Sequence, residues 1–98
     1  MKPSLLEKET PELWKDYLSL AERASSDGAI SARMKELMMV ALSVALRCEP
    51  CLRVHLKRAL KLGATRAEIA ETLAVTLLMN GGPADVWSRE IFAEVLGE

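Results

Sequence analysis

Residues 35–63 read KELMMVALSVALRCEPCLRVHLKRALKLG, and this stretch decides the fold. Within residues 37–46 only Ser43 is not apolar, so a helix here has no wide face for solvent. The run has ten residues, whereas a helix that crosses a bilayer needs roughly 20. Pro50 removes a helical hydrogen-bond donor and disfavours helix in the residue before it. The stretch therefore predicts one buried helix, a break near Pro50, and a second helix that ends at Gly63.

Start and stop signals on both sides extend this helical pattern. Hydroxyl and acidic residues favour helix starts, whereas glycine and proline are typical of helix ends. Thr65 and Glu68 match a capping box, in which each side chain bonds to the backbone of the other residue. The remaining signals predict a helix start at Thr10-Pro11, a helix end at residues 25–28, a cap at Ser31, a helix end near Asn80 and a last helix over residues 85–96.

The composition agrees with helices and with one domain. Half of the 98 residues are hydrophobic, but the aromatic ones are only two Trp, one Tyr and one Phe. The core must therefore be built from Leu, Ala, Val, Ile and Met, a mixture that favours helices over a sheet. We predict an all-α protein with about five helices in a single domain over residues 1–98.

Charge and the amino-terminal residues exclude several classes of protein. Thirteen basic and 14 acidic side chains give a net charge of −1, and no basic block is present, so we expect no nucleic-acid partner. The first residues, MKPSLLEKE, lack the apolar region of a secretory signal. We therefore expect a cytoplasmic protein with no membrane segment.

Two of the predicted helices carry apolar residues nearly all round. They are the helix over residues 37–46 and the helix that follows Thr65. A monomer of this size hides only about 60–70% of its unfolded surface, and large apolar surfaces are seldom left exposed. We therefore expect self-association, although both helices could instead run through the middle of one bundle.

The two cysteines and the single histidine fall within residues 48–55. On a helix, Cys51 lies about 60° and His55 about 20° from Cys48 around the axis, so all three share one stripe. An imidazole one turn beyond Cys51 can take or share a thiol proton, and the positive helix start stabilises a thiolate. The carboxylate of Glu49 would raise a thiol pKa if it pointed inward, and an outward rotamer would weaken that effect.

Three interpretations of this cluster remain open from spacing alone. The cysteines can be a redox pair, because one sulfur can resolve a sulfenic acid or mixed disulfide on the other. They can also be inert buried residues. A structural zinc site generally needs four ligands, and Cys48, Cys51 and His55 supply three. Glu36 could be the fourth, but two thiolates, one imidazole and one carboxylate form a less usual set.

The pattern over a longer stretch closely resembles the carboxymuconolactone decarboxylase superfamily, in its alkyl hydroperoxidase D-like branch. The pattern is Glu, 11 intervening residues, Cys-x-x-Cys, three residues, His, and then Gly-Ala-Thr-x-x-Glu-Ile. The resemblance covers about residues 28 to 87. The residues that carry the pattern are Glu36, Cys48, Cys51, His55, Gly63, Ala64, Thr65, Glu68 and Ile69.

The resemblance implies an all-α fold, a homotrimer or homohexamer, and a thiol peroxidase site. Cys51 would become the sulfenic acid, Cys48 would resolve it as a disulfide, and His55 and Glu36 would form the proton relay. Hydroperoxides would be the substrates and a dithiol, for example of lipoyl type, would be the reductant, with no bound cofactor and no metal. This chain has Glu49-Pro50 between the cysteines, where described peroxidases can carry a histidine.

Two alternatives accompany the peroxidase prediction. The protein could be a non-enzymatic oligomeric module whose cysteine pair senses redox state or binds a metal. Glu36 could be an ordinary acid in the first turn of its helix, since it lies about 18 Å from Cys48 along a continuous helix. A simple antiparallel hairpin places Glu36 nearer the level beyond His55, so the relay requires a bent or crossed arrangement or side chains that reach toward one another.

Overall fold

The computed structural model describes residues 2–98, and every element of regular structure in this part of the chain is an α-helix. There are six helices within it, one more than the sequence predicts. Their bounds are α1 Leu5–Glu9, α2 Pro11–Ser25, α3 Ala32–Ala45, α4 Glu49–Lys61, α5 Arg66–Asn80 and α6 Pro83–Leu96. The all-α prediction is confirmed.

Local caps set most of these boundaries, as predicted. The Ser31 hydroxyl accepts a hydrogen bond from the Met34 N–H at the start of α3. At the start of α5 both bonds of the capping box are present between Thr65 and Glu68. Gly63 follows α4 with a φ of 93°, a conformation that glycine adopts without strain. These ends depend on neighbouring residues only, which is why the sequence shows them.

Helix α1 was not predicted, although its start carries a local signal. The Ser4 side chain caps it by accepting from the Leu6 N–H, and Glu7 stands three residues after Ser4. The Thr10 hydroxyl donates to the Leu6 carbonyl and accepts no hydrogen bond from the first N–H groups of α2. The predicted start of α2 at Pro11 is confirmed, but the expected capping bond from Thr10 is not formed.

The core lies between α3, α4, α5 and α6. Val40 and Val44 of α3 pack with Leu52 and Leu56 of α4, and all four side chains are fully buried. Burying side chains of this size stabilises the fold by about 1.5–3 kcal/mol each. The hairpin of α3 and α4 is therefore the rigid frame on which the cysteines and the histidine are placed.

The turn between α3 and α4 has a special backbone conformation. Arg47 has a φ of 54°, which is uncommon for a residue with a side chain. Its guanidinium lies over the Trp87 ring of α6, 5.7 Å from the centroid, and this contact holds the turn against the next layer. The Cys48 N–H donates to the Ser43 carbonyl at 3.0 Å. The chain thus reverses just before Cys48.

Large apolar side chains remain exposed on this chain. Leu42 of α3 is 57% exposed, and Leu78 and Met79 of α5 are 84% and 90% exposed. Helix α2 contains no buried residue. The expected excess of apolar surface on α3 and α5 is therefore present. None of the helices within residues 2–98 combines the length and apolarity that a membrane crossing needs.

Candidate redox site

Both cysteines lie at the amino-terminal end of α4. Cys48 is the N-cap residue, and its sulfur accepts a hydrogen bond from the Cys51 N–H at 3.3 Å. Pro50 lies in the first turn of α4, where a missing N–H costs nothing because the first N–H groups of a helix have no partner within it. The Cys-x-x-Cys pair therefore spans the start of α4. Cys48 and Cys51 form a disulfide. The structure therefore represents the oxidised pair.

Cys51 is more accessible than Cys48 and His55. Cys51 is exposed, and Cys48 and His55 are half-buried. Helix α4 places His55 one turn beyond Cys51 on the same side, as the spacing predicts. Residue Cys51 is thus more open to solvent than the imidazole one turn beyond it.

Glu36 contacts His55 directly. The Nδ1 atom of His55 and the Oε2 atom of Glu36 are 2.8 Å apart. A carboxylate oxygen accepts, so the imidazole donates from Nδ1 and its Nε2 is left for a second partner. The Glu36 side chain is only 4% exposed. A carboxylate so far from water is stabilised only by partners such as this one.

The interpretation of Glu36 as an ordinary first-turn acid is wrong. The first turn of α3 contains no acidic residue, and Glu36 lies in the second turn on the buried side. Because the chain reverses after α3, this second turn lies beside the part of α4 that follows His55, and the His55 side chain still meets Glu36. The two side chains reach toward each other across the α3–α4 contact, which is one of the arrangements that the sequence left open.

Arg58 also approaches the buried carboxylate, and sequence reasoning missed it. Its Nη1 atom is 4.0 Å from Oε1 of Glu36, on the side of the carboxylate away from His55. The signal was its place three residues after His55, on the same face of α4. Arg58 adds positive charge near Glu36 and is itself 59% exposed.

A separate network fixes the position of Glu49. Arg53 donates to Oε1 of Glu49 at 3.3 Å and to Oε2 of Glu94, on α6, at 2.6 Å. The bond to Glu94, and after it the one to Glu49, holds the pKa of Arg53 above its ordinary value. Glu49 therefore has the outward orientation that weakens its effect on the thiols.

An apolar groove runs up to His55 between α2, α3 and α4. Its volume is about 620 Å³. Its lining includes Tyr17, Leu18, Met38, Leu42, His55 and Arg58. The arrangement provides an apolar approach to the imidazole with one guanidinium at its edge.

A metal centre was the third interpretation of the cluster. Within residues 2–98, no group of three or more His, Cys, Asp or Glu side chains is arranged to hold a metal ion. The fourth ligand considered, Glu36, is instead bonded to His55.

The fold and this cysteine site define a class of protein. Residues 11–94 match the model of the carboxymuconolactone decarboxylase family, and this chain belongs to that family. The resemblance in the sequence covered about residues 28 to 87, and the matched range extends past both ends of that stretch.

Two curated relatives cover most of this chain. An uncharacterized protein of Cupriavidus necator is 35% identical over 83 residues, which are 85% of this chain and 74% of that protein. An uncharacterized protein of the cox locus of Paracoccus denitrificans is 35% identical over 77 residues, which are 79% of this chain and 69% of that protein.

Two solved structures share the fold. The apo form of a carboxymuconolactone decarboxylase family protein from Legionella pneumophila has a TM-score of 0.83 and 39% identity, and the match covers 94% of this chain and 82% of that one. A family protein from Thermotoga maritima, for which an involvement in antioxidative response has been suggested, has a TM-score of 0.77 and 30% identity. That match covers 85% of this chain and 86% of the other.

Proposed function

We propose that this protein is a thiol-dependent peroxidase that reduces hydroperoxides through Cys51 and Cys48. One observation carries the proposal: a Cys-x-x-Cys pair at a helix start stands one turn from a histidine whose Nδ1 is bonded to a buried carboxylate. The suggested antioxidative involvement of the Thermotoga relative supports it.

The first step consumes the peroxide. In the reduced protein the Cys51 thiol gives its proton to Nε2 of His55, while Glu36 stabilises the imidazolium through Nδ1. The thiolate attacks the terminal peroxide oxygen, an S–O bond forms and the O–O bond breaks. The leaving alkoxide takes a proton from the imidazolium and departs as an alcohol. Cys51 is now a sulfenic acid.

The second step forms the disulfide. The Cys48 sulfur attacks the sulfenic sulfur, the S–S bond forms and the S–O bond breaks. The Cys48 proton and the departing hydroxide leave as water. A dithiol reductant, of lipoyl type or on a protein, then returns two electrons and two protons by thiol–disulfide exchange. The cycle requires no bound cofactor.

Peroxide consumption by the reduced protein tests this function. One equivalent of cumene hydroperoxide should consume both thiols of each chain and yield the Cys48–Cys51 disulfide. Dihydrolipoamide in excess should then sustain turnover. Cys51→Ser should remove peroxide consumption, because the attacking sulfur is gone and Cys48 is left only as the resolving thiol.

Cys48→Ser is the matched variant, since it has the same loss of one sulfur. It should still consume one equivalent of peroxide and stop as a sulfenic acid that dimedone traps. Unchanged consumption by Cys51→Ser would reject Cys51 as the attacking sulfur.

The alternative is a non-enzymatic module that senses redox state or binds a metal. A disulfide that forms reversibly with no peroxide turnover, over a range of dithiol donors, would support a sensor. Stoichiometric zinc in protein purified without chelators would support a metal site and count against a free attacking thiol.

Self-association is part of the proposal. Val75, Leu78 and Met79 of α5 are 62%, 84% and 90% exposed, and such a patch is typical of an interface. We propose a homotrimer or homohexamer that buries this face. Light scattering should give three or six chains per particle, and Leu78→Glu should lower that mass; a monomeric wild type would contradict this part.

A further inference from the structure

Charged groups surround the start of α4 on several sides. Helix α4 itself carries Glu49, Arg53 and His55, and the preceding turn carries Arg47. The facing helices add one carboxylate each, Glu36 from α3 and Glu94 from α6. Two of these six groups, Glu49 and Glu94, meet on the same guanidinium of Arg53.

The positions around the helix separate Glu49 from the attacking sulfur. At about 100° per residue, Glu49 and Arg53 each lie about 160° from Cys51 around the axis of α4. In sequence, however, Glu49 is next to Cys48 and only two residues before Cys51. Its side chain starts in the first helical turn, so rotation toward the helix start would bring its charge toward the sulfurs. The bond to Arg53 holds the carboxylate on the α6 side.

We propose that Arg53 is a positioning residue of the redox site, which keeps the Glu49 carboxylate on the α6 side of α4 and away from the Cys51 thiolate. Arg53 is itself fixed by Glu94, so packing of α6 on α4 sets where the charge of Glu49 lies. A negative charge near a thiol disfavours the thiolate. Loss of Arg53 should therefore weaken the acidity of Cys51 through Glu49.

This proposal deepens the proposed peroxidase function, but its test does not require peroxide turnover. The reduced protein is alkylated with iodoacetamide at a series of pH values, and peptide fragmentation measures how much label reaches Cys51. The thiolate attacks the methylene carbon and iodide leaves, so the rate follows the thiolate fraction. Circular dichroism confirms that each variant is folded.

Arg53→Met should raise the pH of half-maximal alkylation by about half a unit, which makes the reaction about threefold slower below that pH. Arg53→Met combined with Glu49→Gln should restore the wild-type profile, because no carboxylate remains to be displaced. Arg53→Lys should recover most of the effect, since it restores a cation near Glu49. Arg53→Gln should behave like Arg53→Met and serves as a second variant.

Arg89→Met is the matched control. Arg89 is bonded to Asp85 four residues away on α6, in the same kind of surface pair. It should leave the profile of Cys51 unchanged. An unchanged profile in both Arg53→Met and Arg53→Gln would overturn the proposal.

The double variant separates two physical causes. If the slower reaction persists when Glu49→Gln is added, the charge of Arg53 acts on the thiol directly, and the role through Glu49 is wrong. If the profiles change as expected but no variant or wild type consumes peroxide, the peroxidase function fails while the positioning role of Arg53 stands.

Discussion

Helix α4 has two differently arranged sides. On the α3 side, one carboxylate is buried and bonded to His55 at 2.8 Å. On the α6 side, Arg53 stands between two carboxylates that are 59% and 60% exposed. Electrostatic interactions are strong where water is excluded and weak where it is present. The proposed proton relay therefore lies on the side of α4 that excludes water, and the proposed control of the Glu49 charge lies on the exposed side.

His55→Asn should give the largest effect, because it removes the only imidazole of the chain from the buried side. We expect the reaction of reduced Cys51 with peroxide at neutral pH to slow by about 10²-fold or more, the usual contribution of a positioned acid–base group. Stopped-flow measurement of peroxide consumption gives this rate.

The control for His55→Asn is Lys57→Gln, an exposed change two residues along the same helix. It should leave the rate within about twofold. Equal rates for His55→Asn and the wild type would mean that the thiolate forms without the imidazole, and the two sides of α4 would then not differ in function.

Glu36→Ala should have the next largest effect, on both stability and rate. It leaves the Nδ1–H of a half-buried imidazole without its acceptor, which costs about 1–3 kcal/mol of unfolding free energy. Urea denaturation measures that loss. The peroxide reaction should slow on the order of tenfold, because the imidazolium loses its counter-charge.

Glu36→Gln separates orientation from charge. Its amide oxygen can still accept from Nδ1, so stability should remain near that of the wild type while the rate falls. Full activity in Glu36→Gln would show that Glu36 only orients the ring.

Glu94→Gln tests the exposed side and should have a small effect. It removes a negative charge, while the amide oxygen of Gln can still accept from Arg53 and hold it beside Glu49, so alkylation of Cys51 should become faster by less than about twofold. The iodoacetamide profile measures this change. A threefold slower reaction would show instead that Arg53 keeps its place only while Glu94 holds it.

Glu68→Gln should have no effect on Cys51, and it tests stability far from α4. The Thr65 N–H, and after it Arg33, hold the pKa of Glu68 below its ordinary value of 4.5. A lowered folded-state pKa stabilises the protein above the unfolded value, and that stability is lost as pH falls through the folded value.

Urea denaturation at about pH 5 and about pH 3 should therefore show a smaller acid-induced loss in Glu68→Gln than in the wild type. Glu71→Gln is the control on the same helix, and its loss should equal that of the wild type. Equal losses in Glu68→Gln and the wild type would contradict the assigned cause.

The sequence predicted those features that short-range interactions determine. Ser31, Thr65 and Gly63 mark helix ends through bonds to nearby backbone or through their own backbone preferences, so single-residue chemistry was sufficient. The stripe of Cys51 and His55 followed from helical spacing. Helix α1 was missed although Ser4 and Glu7 carry the same kind of signal, since a five-residue helix offers little periodicity.

The features that the sequence left open depend on contacts between helices. Whether Glu36 meets His55 depends on how the α3–α4 turn aligns the two helices, and helical spacing along one helix cannot give that. The orientation of Glu49 was likewise undecided, because its partner Arg53 is fixed by Glu94, 41 residues further along the chain. The predicted roles of the four site residues stay predictions until peroxide turnover is measured.

The N-cap position of Cys48 makes the redox state visible in the backbone. The Cys51 amide donates to the Cys48 sulfur, so its hydrogen bond changes when that sulfur is a thiolate, a thiol or half of a disulfide. In a ¹⁵N–¹H correlation spectrum, this single amide resonance should report which form is present. The protein therefore carries its own probe of oxidation, readable without substrate or dye.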